Sequence, residues 1–201
     1  MEDSAFIDAP SELARINTQS TKLGFTMASE PRTGSLLQVL AASKPGGRLL
    51  ELGTGTGVAT AWLLSGMDVA ASLTSVDVNA EFQAVAREVL GRDRRLNLVL
   101  EDGVTFIRRQ PKHSYDLIFA DAVPGKYEAL DETLALVKPG GLYVIDDMLP
   151  QPNWPEGHDQ KALALMHQLS SIRHFHMSPL VWATGIVVMV RRPPLKIAAE
   201  R

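Results

Sequence analysis

The 201-residue sequence contains no cysteine, which excludes a disulfide framework, a thiolate metal site and a thiol nucleophile. Runs of like charge are also absent: the formal net charge is -3, and the densest basic stretch is GRDRR at 91–95. We therefore expect no nucleic-acid partner. No apolar run has membrane-spanning length, and the N-terminal MEDSAFIDAP does not read as a signal peptide. These absences predict a cytoplasmic protein without a membrane partner.

The hydrophobic share of 45% is enough for one domain with a substantial core. We expect a single domain over 1–201, made of an N-terminal helical cap at 1–45, a cofactor-binding core at 46–192 and a frayed tail at 193–201.

Within the core, short apolar runs alternate with helical patterns. Strands are predicted at 48–52, 71–77, 96–102, 115–121 and 142–147, helices at 57–66, 79–91, 126–141 and 158–171, and two further β-like runs at 172–180 and 184–192. Near-continuous apolar strands that alternate with helices favour a parallel sheet covered on both faces. The last two runs have only a short link, which permits only an antiparallel hairpin.

Three glycines follow the first strand in the stretch ELGTGTG, at Gly53, Gly55 and Gly57. Ligands of open α/β sheets bind outside the carboxyl ends of the strands, and a backbone without side chains can approach a ligand and donate N–H groups. A dinucleotide fingerprint would need its third glycine at position 58, which is Val58. The spacing therefore weakens the interpretation as an NAD site.

Two aspartates end the second and third predicted strands. Asp77 lies about 20 residues beyond the last glycine, where a carboxylate can accept hydrogen bonds from ribose hydroxyls. Asp102, followed by Gly103, could accept from an adenine amino group. Each aspartate could instead cap the next helix. We favour ribose binding for Asp77 and leave both interpretations open for Asp102.

The ordered series ELGTGTG, VDVN, EDG, YDLIFAD and VKPGG resembles the successive motifs of class I S-adenosylmethionine-dependent methyltransferases, over about 48–191. The resemblance implies an α/β fold with a Rossmann-like, doubly wound and mostly parallel sheet, whose seven strands end in an antiparallel C-terminal hairpin. It also implies that S-adenosylmethionine is the cofactor. The implied cofactor-binding residues are Glu51, Gly53, Gly55, Gly57, Asp77, Val78, Asp102, Gly103 and Asp121.

A narrower resemblance is to O-methyltransferases of the catechol and caffeoyl-CoA type. The segment MASEPRTGSLLQ at 27–38 is similar to the part of that group in which a Met-x-Ser pair and a later glycine line the methionine end of the cofactor. Met27, Ser29 and Gly34 match it. The residues alone would also fit an ordinary loop that leads into a helix. The resemblance further suggests a small-molecule acceptor and a possible homodimer.

That group binds a divalent cation through an aspartate after the fourth strand and an Asp-Asn pair after the fifth. Asp121, Asp146 and Asp147 match these positions, with Asp147 in place of the asparagine. Three carboxylates at adjacent strand ends suit Mg²⁺ or Ca²⁺, and without a nearby cation they would repel one another. The extra negative charge implies either tighter cation binding or a site with a different purpose.

The lysine that the group places three residues after the first aspartate is Pro124 here, and the nearest lysine is Lys126. If the loop bends at 124–125, Lys126 could reach the site with Asp121 and act on the acceptor proton; otherwise it is a solvated lysine in a first helical turn. Trp154 could form a wall of the acceptor pocket or simply pack on the surface. For His158, helix capping is favoured over acid–base chemistry.

The resulting functional hypothesis is a metal-assisted O-methyltransferase that acts on a catechol-like or other phenolic hydroxyl. Alternatives are a metal-independent small-molecule methyltransferase, acting on oxygen or nitrogen, and a non-catalytic nucleoside-binding or NAD-type protein. DAVPG after the fourth strand differs from the Asn/Asp-Pro-Pro-aromatic motif of enzymes that methylate nucleobase amino groups. The absence of cysteine excludes the thiol-dependent pyrimidine C5 reaction.

Overall fold

The structure is a computed structural model that describes residues 3–152 and 154–194. The strands are β1 Arg48–Leu52, β2 Ser72–Asp77, β3 Leu96–Leu100, β4 Tyr115–Ala120, β5 Val137–Ile145, β6 Phe175–Leu180 and β7 Ile186–Arg191. The helices are α1 Leu13–Lys22, α2 Pro31–Ala42, α3 Val58–Gly66, α4 Ala80–Leu90, α5 Gly103–Arg108, α6 Leu130–Leu136 and α7 His158–Ser170, after a 3-10 turn at Asp3–Phe6. The predicted frayed tail lies outside the described residues from position 195 onward.

The seven strands form one sheet in the order β3-β2-β1-β4-β5-β7-β6. The first five strands are parallel, and β7 runs antiparallel to both β5 and β6. Apolar side chains cover both faces: Trp62, Leu63 and Leu37 belong to one core, and Tyr143, Ile118 and Phe106 to the other. The predicted fold class is confirmed.

The predicted helix at 126–141 is wrong at both ends. It begins only at Leu130, after Ala129 in the left-handed region (φ 53°), and the chain already enters β5 at Val137. The pairing between β4 and β5 shifts register from Tyr115↔Val137 to Leu117↔Leu142. Proline and glycines between these pairs therefore mark an irregularity within a strand, where such residues are common, and not the end of a helix. The short helix α5 was not predicted.

Gly34 has a packing role in α2 and does not line the cofactor site as the resemblance implied. A Cβ atom at this position would lie 2.2 Å from Nε1 of Trp62, whose side chain in α3 is completely buried. The missing side chain lets α2 and α3 pack closely, because the fully enclosed indole has no space into which it can move.

We therefore expect Gly34→Ala to lower the free energy of unfolding by about 1–3 kcal/mol, the usual cost of overpacking a core. Val39→Ala, on the same helix at a side chain that is 64% exposed, is the matched control and should change the value by less than about 0.5 kcal/mol. Urea unfolding measures both variants. Equal stability of the two would contradict the packing role of Gly34.

None of the helices in the described part of the chain is both long and apolar enough to cross a membrane.

Candidate active site

The centre of the sheet is a topological switch point, because β1 pairs with β2 on one side and with β4 on the other. The chain segments that leave β1 and β4 touch: the Asp121 N–H donates to the Leu52 carbonyl at 2.9 Å, and a Cβ on Gly53 would lie 2.8 Å from the Asp121 carbonyl oxygen. Ligands of doubly wound sheets bind in the crevice at such a point. Both predicted motifs, the glycine loop and Asp121, therefore meet where a ligand is expected.

The glycine loop adopts a backbone that requires glycine. Gly53, Gly55 and Gly57 all have positive φ angles, of 102°, 51° and 96°. Gly53 and Gly55 line a cavity of about 400 Å³, which we call the cofactor cavity. Gly57 does not line it: a Cβ there would lie 2.7 Å from Cβ of Ala86, so this glycine allows α3 and α4 to pack. The predicted cofactor contact of Gly57 is thus replaced by a structural role.

Asp77 holds the loop in place. Its Oδ2 accepts a hydrogen bond from the Gly55 N–H at 2.7 Å, and its Oδ1 accepts from the Asn79 N–H at 2.7 Å. The side chain also lines the cofactor cavity, and each carboxylate oxygen can accept a further bond. Asn79 caps α4 by accepting from the N–H groups of Glu81 and Phe82. Asp77 is therefore not needed as a helix cap and remains available to a ligand.

Side chains from the N-terminal segment and from α4 line the rest of the cofactor cavity. The rings of Phe25 and Phe82 lie 4.8 Å apart on its wall. Met27 and Ser29 line it as well, at the position that the resemblance implied, and both also line the neighbouring cavity. Phe25 and Phe82 were not predicted, because a loop aromatic 57 residues away from its partner carries no local signal.

A small cavity of about 90 Å³ lies next to this region and brings Val78, Asp102 and Gly103 together with Asp77. A Cβ on Gly103 would lie 2.6 Å from Cβ of Pro124, so glycine permits this close approach. Asp102 caps α5 by accepting from the Thr105 N–H at 2.8 Å, and this bond is the main cause that lowers its pKa. Both interpretations of Asp102 are thus compatible with the structure.

Glu51, predicted to contact the cofactor, lies beneath the loop and does not line the cavity. Its side chain is 0% exposed and accepts hydrogen bonds from Thr60 at 2.6 Å and from Ser75 at 2.5 Å, while Oε1 has no partner. Burial raises the pKa of Glu51 to about 8, against the opposing effect of the bonds from Ser75 and Thr60. The carboxyl group therefore supports the glycine loop from inside the core.

This burial predicts a pH-dependent stability. Between the ordinary pKa of 4.5 and the folded value of about 8, the native protein keeps a proton on Glu51 that the unfolded chain has released. Stability should then fall as pH rises, by on the order of 3–5 kcal/mol over this window. Glu51→Gln has no proton to lose. Urea unfolding at about pH 5 and pH 8 measures the free energy of unfolding of both proteins. Relative to the wild type, the variant should be more stable at pH 8 than at pH 5. The same difference in free energy at both pH values would contradict the raised pKa.

A second cavity, of about 520 Å³, adjoins the cofactor cavity and shares Asp121, Met27 and Ser29 with it. We call it the acceptor cavity. It contains all of the predicted residues Asp121, Lys126, Asp146, Asp147 and Trp154. Tyr127, His158 and Thr184 also line it. Thr184 was not predicted: it lies in the link between β6 and β7, far from the motifs.

Lys126 reaches this cavity because the loop bends as the sequence analysis required. Gly125 has a φ angle of 85°, its N–H donates to the Glu128 carbonyl at 2.7 Å, and its carbonyl accepts from the Tyr143 hydroxyl at 2.6 Å. The Lys126 side chain is only 4% exposed, and its Nζ donates to the Asp146 carbonyl at 2.5 Å. The alternative of a solvated lysine in a helix is wrong, since α6 begins four residues later.

The three aspartates lie close enough to affect one another. Burial, followed by the charges of Asp146 and Asp147, raises the pKa of Asp121 to about 7. Burial is also the main cause that raises the pKa of Asp147, which has a left-handed backbone (φ 56°) that aspartate and asparagine tolerate better than most residues. For Lys126, burial lowers the pKa, while the carboxylates of Asp121, Asp147 and Asp146 oppose this effect.

The predicted three-carboxylate metal site is not formed. Among residues 3–152 and 154–194, no group of three or more His, Asp or Glu side chains has an arrangement that could hold a metal ion. Asp146 is 2% exposed, and its Oδ1 accepts from the Thr184 hydroxyl and from the Asp147 N–H. Oδ2 of Asp121 accepts from the Ser29 hydroxyl at 3.3 Å. These carboxylates bind protein donors, so the arrangement does not fit a divalent cation.

Aromatic rings line the acceptor cavity together with the carboxylates and form what we call the aromatic wall. The rings of Trp154 and His158 lie 4.6 Å apart, and those of Tyr127 and His158 lie 5.5 Å apart. The Tyr127 hydroxyl is 3.3 Å from Nε2 of His158. His158 is the first residue of α7, and Gly157 occupies the capping position, so the predicted capping role of His158 is wrong. The cavity thus combines a cluster of aromatic rings, tilted relative to one another, with a group of charged side chains.

Comparison with known proteins agrees with this geometry. Residues 50–148 match the family model described as a methyltransferase domain, and these residues contain the glycine loop, Asp77 and Asp121. Over these residues the match agrees with the resemblance of the motifs to S-adenosylmethionine-dependent methyltransferases.

Particular relatives bear the name of O-methyltransferases. A Mycolicibacterium vanbaalenii protein named "Putative O-methyltransferase" is 36% identical over 123 residues, which are 59% of this chain and 54% of that protein. The chain thus spans about half the length of the curated relatives it matches.

Two solved structures share the fold. The O-methyltransferase TomG of Streptomyces achromogenes, solved in complex with SAM, has a TM-score of 0.81 at 19% identity, with 95% of this chain and 94% of that chain covered. An O-methyltransferase of Bacillus cereus in complex with SAH has a TM-score of 0.79 at 18% identity, with 94% of both chains covered.

Proposed function

We propose that this protein transfers the methyl group of S-adenosylmethionine to a hydroxyl oxygen of a small aromatic acceptor, such as a phenol or catechol. The observation that carries the proposal is the junction of two cavities at Asp121. The cofactor cavity has the glycine loop and the Asp77 carboxylate, and the acceptor cavity has charged side chains and an aromatic wall. The two structures described above, solved with SAM and with SAH, are named O-methyltransferases.

In this proposal each cavity binds one reactant. Asp77 accepts hydrogen bonds from the ribose, and Met27 and Ser29 contact the methionine part at the boundary between the cavities. Trp154 and the rings beside it form the wall for the acceptor ring. Holding the two reactants in line supplies much of the rate gain, because a bimolecular displacement becomes an event within one complex.

In this proposal Lys126 acts on the acceptor hydroxyl, in the cavity that Asp121 also lines. Nζ of Lys126 lies in the acceptor cavity and can donate a hydrogen bond to the oxygen that attacks the methyl group. As the O–C bond forms, the S–C bond breaks and its electron pair stays on sulfur, and the hydroxyl proton is released to water. The predicted assistance by a divalent cation is not part of this proposal, because Asp121 and Asp146 already bind protein donors.

Thermal unfolding tests the cofactor assignment. A ligand that binds only the native state raises Tm with its concentration. S-adenosylhomocysteine should raise the Tm of the protein in a saturable way, and NAD should leave it unchanged. A shift with NAD and none with S-adenosylhomocysteine would favour the NAD-type alternative and would reject the proposed function. A methyl-transfer assay over phenols, catechols and amines then identifies the acceptor class.

A further inference from the structure

Three acidic side chains that are partly or fully shielded from water line the acceptor cavity. Asp121, Asp146 and Asp147 come from the ends of two adjacent strands and line one cavity. Asp146 is almost completely buried, and the other two are half-buried. Charges of one sign that are held close together and away from water need a compensating cation.

The chain itself provides a positive group in the same cavity. The Lys126 side chain is 4% exposed, and its ammonium group bonds to the main chain of Asp146. All three carboxylates favour its charged form. A lysine is rarely buried to this extent without partners of opposite charge. The buried ammonium group and the buried carboxylates thus compensate each other's charge.

The loop geometry shows that this placement of Lys126 is part of the fold. Gly125 has positive φ, and a Cβ at this position would lie 2.3 Å from Cδ1 of Leu52, so only glycine permits the bend. The hydroxyl of the fully buried Tyr143 fixes the Gly125 carbonyl. Because β1, β5 and the loop all contribute, the ammonium group is held in position by the core and not by a flexible surface segment.

Two of the three carboxylates already accept hydrogen bonds from protein donors. Asp146 accepts from Thr184 and from the next main-chain N–H, and Asp121 accepts from Ser29. A divalent ion would need several of these oxygens at once, at about 2.0–2.6 Å. It would also share the cavity with the buried ammonium group of Lys126, which costs free energy because the two cations repel each other.

We propose that the ammonium group of Lys126 is the resident cation of this site, in place of the divalent ion that the three carboxylates predicted, and that methyl transfer here needs no metal. Only the statement about methyl transfer rests on the proposed function; the identity of the resident cation does not. The ammonium group holds the developing acceptor oxyanion as a hydrogen-bond donor. The net reaction forms one O–CH₃ bond, breaks one S–CH₃ bond and releases one proton to solvent.

The test is a metal titration of the full chain with S-adenosylhomocysteine present throughout. MgCl₂, CaCl₂ and MnCl₂ are titrated into wild-type protein, with Tm and the heat of binding as readouts. We expect no saturable response to any of the three ions. A saturable one-to-one binding event in the wild type would overturn the proposal, whatever the activity of the protein.

A variant without the lysine charge should gain the response to metal ions that the wild type lacks. Lys126→Met keeps the length of the side chain and removes its charge, so the carboxylates lose their cation. We expect a lower Tm that Mg²⁺ or Ca²⁺ partly restores, which the wild type does not show. The matched control is Lys161→Met, since Nζ of this exposed lysine lies 4.3 Å from the centre of the Tyr127 ring, and it should gain no cation response.

If Lys126→Met folds but gains no cation response, the carboxylates do not share Lys126 as their counter-ion and the proposal fails. If it does not fold, the wild-type titration decides alone. Failure of the proposed function has a different signature, because S-adenosylhomocysteine would then leave the Tm of the wild type unchanged with or without metal.

Discussion

Replacement of Asp77 by alanine should weaken S-adenosylhomocysteine binding by about 100- to 1000-fold. The carboxylate accepts from the N–H groups of Gly55 and Asn79, so its loss frees the glycine loop on one side and the start of α4 on the other. It also removes the proposed acceptor for the ribose hydroxyls. A loss of this size is about 3–4 kcal/mol, which is roughly what two hydrogen bonds to a charged group contribute at the lower end of their usual range of about 1.5–3 kcal/mol each. Isothermal titration calorimetry measures the affinity.

Two further variants show whether the effect is specific to Asp77. Asp77→Asn keeps the shape but turns an NH₂ group toward one of the two N–H donors, and we expect a loss of about tenfold. Asp131→Ala removes an exposed carboxylate in the first turn of α6, outside both cavities, and should leave the affinity unchanged. If all three variants bound like the wild type, Asp77 would have no part in cofactor binding.

Replacement of Lys126 by methionine should lower kcat by about 10²- to 10⁴-fold, the usual contribution of a positioned acid–base or charge-stabilising group. Lys126 lines the acceptor cavity but not the cofactor cavity. The affinity for S-adenosylhomocysteine should therefore change by less than about twofold. Steady-state kinetics with an accepted phenol, together with calorimetry of the same preparation, separate the two effects.

Lys161→Met again serves as the control, because both lysines lie over the Tyr127 ring but only Lys126 is buried and lines the acceptor cavity. We expect nearly full turnover from it. Normal turnover in Lys126→Met would show that this lysine neutralises the site without taking part in the reaction.

The sheet and the cofactor cavity could be predicted because their signals are local. The apolar run of β1, the glycines directly after it and Asp77 at the end of β2 each depend on spacing within about 30 residues. Parallel pairing then places these strand ends at one edge of the sheet, as the register Leu52↔Val76 shows. Local sequence and global fold agree at these positions, which is typical of natural proteins.

The charged end of the acceptor cavity could be predicted only in part. That Asp121 and Asp146 share a cavity follows from the adjacency of β4 and β5, but the direction of their oxygens depends on Ser29 and Thr184, which are 92 and 38 residues away from them along the chain. No local pattern encodes such partners. The prediction of a metal site assumed that the carboxylates were free.

The wrong boundary at 126–141 has a similar cause. In the sequence, Pro139 and the two glycines after it are typical of a helix stop, because proline and glycine often follow a helix. In the structure they lie inside β5, where the pairing with β4 changes register. Proline and glycine interrupt helices and strands alike, so the choice between the two depended on the strand pairing, which the sequence does not show.

The central claim is that the cavity between β1 and β4 binds an adenosyl sulfonium donor with its methyl group directed toward Asp121. The most direct test is calorimetric titration of the folded wild-type protein with S-adenosylhomocysteine. We predict one binding site per chain, with an affinity that falls strongly in Asp77→Ala. Absence of any heat of binding, from protein whose circular dichroism and unfolding transition show it to be folded, would contradict the claim.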